Sequence, residues 1–366
     1  MAQPPRTGDR QYCESLPAKA KPDDIGQHLA RKVSEQELPI TNAGIWRSRA
    51  KLAASLLALS DDLRGEDSFP EKRPLLAHYT TIQTLDAILQ TSEVWLSNPL
   101  FMSDIEEVRF GIRNGTQLFL DSAELESTCG EERAAILRSA LNQCYKKFDE
   151  EHILDTFVLC FSEHEKADCD GLLSMWRGYG GNGSGAAIVF DTAKIRAQAD
   201  SPLIIAKVKY GTAAERLDWI EQRIKQFGQI ICKNDVQPDL LPLASEIFFD
   251  RLKLFSVFSK HSGFSEEREW RLVYIRKEQR PEKYEKWFSY WIGPRGVEPK
   301  LKLKAAGISD FPEENIRLPD LIDRIILGPS LSSPLSRNAV GKMLDALGAP
   351  ELKKRLCASQ IPYRQK

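Results

Sequence analysis

Phe264-Ser-Glu-Glu-Arg-Glu-Trp-Arg-Leu-Val-Tyr-Ile-Arg276 joins a carboxylate-rich turn to an apolar run. Leu272, Val273, Tyr274 and Ile275 combine β-branched and aromatic side chains between charges, which predicts a strand buried in a sheet. Glu267 and Glu269 stand at its mouth. Side chains two apart on an extended segment share a face, so both carboxylates are expected to look into one cavity. The same residues also fit a solvated run of charge that pairs with Arg268, Arg271 or a neighbouring basic residue.

Around this stretch lies a chain of 366 residues, long enough for one large domain with an accessory segment or for two domains. Hydrophobic residues at 42% and charged residues at 28% are ordinary for a globular protein, and no apolar run is long enough for a membrane span. The N-terminal decapeptide lacks the apolar core of an export signal, so a cytoplasmic protein is expected. Seven scattered cysteines, without Cys-x-x-Cys or metal-ligand spacing, read as reduced thiols, and no metal site is expected from them. A formal net charge of −1 leaves nucleic-acid binding to a local patch.

Residues 1–22 read as a loosely ordered tail and 45–64 as an amphipathic helix with Trp46 on its apolar stripe; 65–74 read as a linker. Strands are expected at 75–80, 94–97, 156–162, 186–190, 203–210, 301–304 and 323–329. Helices are expected at 81–90, from Asp104 to about 120, at 131–150, through most of 213–261 and at 334–347, the last capped by Ser333 with Pro334 in its first turn. Residues 172–179 suit a short helix, 287–291 strand or core, and 294–299 a turn. The glycines of 180–185 precede a strand instead of following one, so they read as a turn and not as a phosphate loop. Strands and helices alternate without a regular βαβ repeat, which predicts a mixed α+β fold. The expected division is 1–70 for tail and helix, 75–330 for the main domain and 331–366 for a C-terminal helical segment packed on it.

Polar residues cluster at strand ends: His78-Tyr79-Thr80, Trp95 and Ser97 with Asp104 and Glu107, Cys160-Phe161-Ser162, Met175-Trp176 with Tyr179, and Glu267-Arg268-Glu269-Trp270-Arg271. In this order they resemble a family of uncharacterised bacterial proteins found in phage-defence and toxin-like settings, over about residues 75–330. More distantly they look like the ADP-ribosyltransferase superfamily. That resemblance implies an ADP-ribosyltransferase-like mixed central sheet with large helical insertions and an N-terminal helical extension, and NAD as substrate. It also implies Glu269 stabilising the ribosyl oxocarbenium charge and Glu267 orienting or deprotonating the acceptor. His78, Tyr79, Thr80, Trp95, Ser97, Ser162, Trp176 and Tyr179 are then the expected NAD contacts, Tyr79 or Trp95 stacking on nicotinamide and His78 with Ser97 bonding ribose or carboxamide. The long separation of His78 from Glu269 and the lack of a Ser-Thr-Ser context at Ser97 depart from the superfamily pattern. The expected acceptor is a protein or nucleic acid, and the N-terminal helix is the expected contact for a protein partner or inhibitor. Two other readings compete: a metal-dependent nuclease using Asp104, Glu107 and the Glu pair, and a non-catalytic module that binds a nucleotide or phage component.

Overall fold

A computed structural model describes residues 40–63, 67–102, 105–196, 201–276, 282–293, 296–304 and 317–363. The chain divides between Ala58 and Leu59 into two units. In the first unit the expected helix begins earlier and ends sooner, as α1, Ile40–Leu56. The tail at 1–22 and the side chain of Trp46 lie outside the described residues.

The second unit is built on a ten-stranded sheet. Its strands are β1 (Leu75–Thr80), β2 (Glu93–Ser97), β3 (Thr156–His164), β4 (Ala186–Asp191) and β5 (Leu203–Lys207). A separate parallel pair is formed by β6 (Lys209–Gly211) and β7 (Ser259–His261). Then come β8 (Glu269–Ile275), β9 (Phe288–Gly293), β10 (Gly296–Lys304), β11 (Ile322–Leu327) and β12 (Leu356–Ala358). The order is β12-β11-β4-β1-β3-β2-β10-β9, with β8 pairing β3 and β5. All pairings in this sheet are antiparallel except β11 with β12, so the fold is α+β around a mixed central sheet.

β3 is the branch point. One edge pairs with β8 from Thr156 to Ser162. The other is shared, β2 meeting it at Val158 and β1 only from Ser162 onward. In the fork between them the Cys160 carbonyl oxygen lies 3.0 Å from His78 Nδ1, an arrangement that requires the Nδ1–H tautomer. Burial holds His78 below its usual imidazole range.

Alternation along the strands sorts the core into two faces. One carries Leu76, Phe161, Ile188, Trp270 and Leu272. Against it pack α2 (Ile82–Thr91), through Leu85, Ile88 and Leu89, and a late helix at Pro334–Ala346. The other face carries Ala77, Tyr79 and Val189, and further along Val158, Ala206 and Val273.

The remaining helices come from the long connections: α3 (Ile105–Asp121), α4 (Ala123–Cys129), α5 (Glu131–Lys147), α6 (Leu173–Gly178), α7 (Ala213–Lys233), α8 (Leu241–Phe258), α9 (Leu318–Leu321) and α10, the Pro334–Ala346 helix. Phe119 of α3, Phe227 of α7 and Phe248 of α8 meet with ring centroids 4.9–5.6 Å apart, which centres the helical layer. Arg251 of α8 donates to the Leu59 carbonyl at 2.6 Å and to both Asp62 oxygens, and this clamps the start of the unit to that layer. Capping follows the sequence: Thr212 and Glu215 form a capping box on α7, and Ser333 caps α10 with Pro334 behind it.

Three further expectations, all in the second unit, change. The run 203–210 is two strands in different sheets, since Val208 N donates to Glu269 O before the chain leaves for β7. The segment at 294–299 is not a turn throughout: β10 begins at Gly296 and pairs with β9. The C-terminal segment is not purely helical, because β12 joins the sheet beside β11. The described cysteines are free thiols.

Candidate functional site

Four charged side chains meet where α8, β7 and the start of β8 come together. Lys260 Nζ lies 2.6 Å from Glu267 Oε2 and 3.3 Å from Glu269 Oε2. Arg271 grips Glu269 with two bonds, Nε to Oε1 at 2.7 Å and Nη2 to Oε2 at 3.0 Å, while its Nη1 donates to the Val257 carbonyl at 2.6 Å. Lys260, Arg271 and Glu269 are buried at 0%, 2% and 4% exposure, depths at which such charges persist only when paired and hydrogen-bonded. Burial pushes Glu269 upward, but Arg271 and then Lys260 outweigh it and hold the carboxyl at about 2. It stays ionised.

The carboxylates do converge, though not through an extended segment. Glu267 closes the 3₁₀ turn Ser262–Glu267, Arg268 is left-handed at φ 45°, and the strand starts only at Glu269. The reversal at Arg268 sends its own side chain away, to Glu165 at 2.9 Å, while both glutamates turn to Lys260. Around them, Tyr179 OH donates to Glu267 Oε1 at 3.2 Å and Ser162 Oγ donates to the Glu267 carbonyl at 2.7 Å. The Glu269 amide donates to Tyr210 OH at 2.9 Å, and burial pushes the Tyr210 phenol up to about 12. The Lys260 ammonium stands 4.5 Å from the Phe264 ring centroid. Tyr179, bonded to Glu267, and Phe264, beside Lys260, are 40% and 41% exposed, so the cluster carries aromatic surface open to solvent.

Of the expected NAD contacts, Ser162 and Tyr179 join this cluster. Trp176 is fully buried, edge-on to Tyr79 at 4.8 Å, with its Nε1 donating to the Asp170 carbonyl; Tyr79 OH accepts from Leu172 N. Those two fasten α6 to the sheet. His78 and Thr80 alternate with Tyr79 along β1 and therefore occupy the opposite face. Trp95 and Ser97 stand with β10, Trp95 under Lys302 at 4.1 Å and Ser97 accepting from Lys300 Nζ at 2.8 Å. Ser97 pairs with Val158, whereas Glu269 pairs with Ser162 further along β3.

Residues 175–272 match a family model described as a protein of unknown function, DUF2971. That match contains Tyr179, Tyr210, Lys260, Glu267, Glu269 and Arg271, and stops short of His78, Trp95, Ser97 and Ser162. No curated protein and no solved structure matches the chain.

Among the described residues no three His, Cys, Asp or Glu side chains gather as metal ligands. Asp104 and the Glu107 side chain lie outside those residues, and the Glu pair is turned to Lys260 and Arg271. No helix among the described residues is long and apolar enough to cross a membrane. Sequence reading missed Lys260, Tyr210 and Phe264. The signal for Lys260 was a lone cation closing the apolar run of α8.

Proposed function

We propose that the protein is an NAD-dependent ADP-ribosyltransferase that modifies a macromolecule as a defence effector or toxin, with Glu267 as its working carboxylate. The observation that carries the assignment within the pair is their unequal burial. Glu269 is enclosed by Arg271 and Lys260, while the Glu267 side chain keeps 12% exposure and meets the half-exposed Tyr179. Breaking the bond from ribose C1′ to the nicotinamide nitrogen leaves the electron pair on nicotinamide and positive charge on the sugar. A fixed carboxylate beside C1′ stabilises that charge. Lys260 and Tyr179 fix the two oxygens of Glu267, and the exposed rings suit a planar nicotinamide. The acceptor nucleophile then bonds C1′ and yields its proton to Glu267. In this reading Glu269 anchors Lys260 behind the reacting carboxylate, a reversal of the roles implied by the resemblance.

The test is nicotinamide release and label transfer from NAD into lysate protein and nucleic acid. Glu267→Gln is expected to lower turnover by about 10²-fold or more while the variant still melts cooperatively. Full activity in that folded variant, or no release by the unaltered protein, overturns the reading.

A further inference from the structure

The connection between β3 and α6 is fastened on both sides of Cys169. Arg324 of β11 donates through Nη2 to the Lys166 carbonyl at 2.7 Å and through Nη1 to the Asp168 carbonyl at 3.1 Å. Asp170 Oδ1 accepts from Gln360 N at 2.5 Å, just beyond β12. These anchors hold Cys169 against Cys357, which pairs with Ile326 across the parallel strands β12 and β11, and the two thiols hydrogen-bond one another. Their surroundings differ. Cys169 is exposed and its sulfur accepts from Arg324 Nη1 at 3.5 Å, whereas Cys357 is half-buried and donates to the Ile325 carbonyl at 3.7 Å. Thiols that react with oxidants are accessible and lie beside cations, and Cys169 meets both conditions. Burial, and after it the Cys169 thiol, push Cys357 up to about 12, so it keeps its proton at neutral pH.

We infer that Cys169 and Cys357 are a peroxide-sensitive pair, Cys169 the attacking sulfur and Cys357 the resolving one, which closes to a disulfide. The Cys169 sulfur bonds one oxygen of hydrogen peroxide and breaks the O–O bond; the departing hydroxide takes the thiol proton as water, and a sulfenic acid remains. Cys357 sulfur then bonds Cys169 sulfur, and the sulfenic hydroxyl leaves with the Cys357 proton as a further water. The peroxide is reduced and both thiols are oxidised. Because the Asp170 carbonyl accepts from Trp176 Nε1 at 2.8 Å, the disulfide staples the entry of α6 to β12. The inference is independent of the ADP-ribosyl transfer reading.

The test is treatment of the full chain with hydrogen peroxide, alkylation of the remaining thiols and digestion without reductant. A peptide pair joining Cys169 to Cys357 within one chain is expected in the mass spectrum, and dithiothreitol is expected to release it. In Cys357→Ser, dimedone is expected to trap a sulfenic acid at Cys169; in Cys169→Ser, dimedone labelling of Cys357 is expected to be about tenfold weaker or less. Absence of the cross-link in the unaltered protein, or a cross-link from Cys169 to the exposed Cys232 in its place, overturns the pair. Equal labelling in the two variants overturns the division of roles.

Discussion

Glu267 and Glu269 share one ammonium, yet their loss has different consequences. Replacing Glu269 by Gln leaves Arg271 buried without its bidentate partner, and about 3–5 kcal/mol of stability is expected to go, read from urea denaturation. Glu267→Gln is expected to cost less than Glu269→Gln, because Lys260 keeps Glu269 and the amide oxygen can still accept from Lys260 or Tyr179. Acid sharpens the contrast. The Glu269 carboxyl sits at about 2 in the fold against an ordinary 4.5. A depressed value means its stabilisation, about 3 kcal/mol, is complete above the ordinary value and is lost as pH falls towards 2. Glu163 is raised by burial, but Lys207, Trp270 and Lys72 bring it to about 2, so it titrates in the same window. Urea midpoints measured from pH 7 to 2.5 should therefore fall below about pH 4.5, and less steeply in Glu269→Gln. The carboxylates were legible because charge at the mouth of an apolar strand is visible in sequence. Their cation was not, since Lys260 precedes them on a different element and meets them only through the left-handed residue Arg268.

Elements whose ends carry their own chemistry were the easiest to read. Thr212→Ala removes the oxygen that accepts from Glu215 N on α7, and about 1 kcal/mol is expected to be lost in thermal melts. The glycine turn before β4 is a turn for a reason of space. A Cβ on Gly185 would run into the Thr80 carbonyl and the Gly180 backbone, so Gly185→Ala is expected to cost about 2 kcal/mol or more by the same measurement. The hairpin of β9 and β10 was misread because Pro294 and Pro299 resemble turn residues. Pro299 is tolerated inside β10 because pairing with β2 begins only at Lys300, which leaves one edge of the strand at Pro299 without a sheet partner. Residues 203–210 show the converse. One strand-like stretch, with Lys207 and Lys209 alternating with Val208 and Tyr210, hides a change of sheet, since periodicity cannot say which partner a strand will find.

Across the second unit, strands remote in sequence are neighbours. β11 supplies Ile322, Ile325 and Leu327 to the core and pairs along β4 from Phe190 to Ala186. Deleting residues 317–366 removes that strand with β12 and α10 and leaves β4 as a bare apolar edge. The truncated chain is expected to be insoluble on expression, where the full chain stays in the supernatant; a soluble truncation with a cooperative melt would refute this. The sequence by itself determined the α+β class, most strand and helix positions, the cap of α10, and the carboxylate pair, because propensity, capping and local charge act over a few residues. Only the tertiary structure decided which expected residues meet. The fork at β3 set Ser97 apart from Glu269, and β7, following α8, delivered Lys260. These outcomes depend on strand order and register, which arise from the burial of distant apolar faces against one another and leave no local mark in the chain.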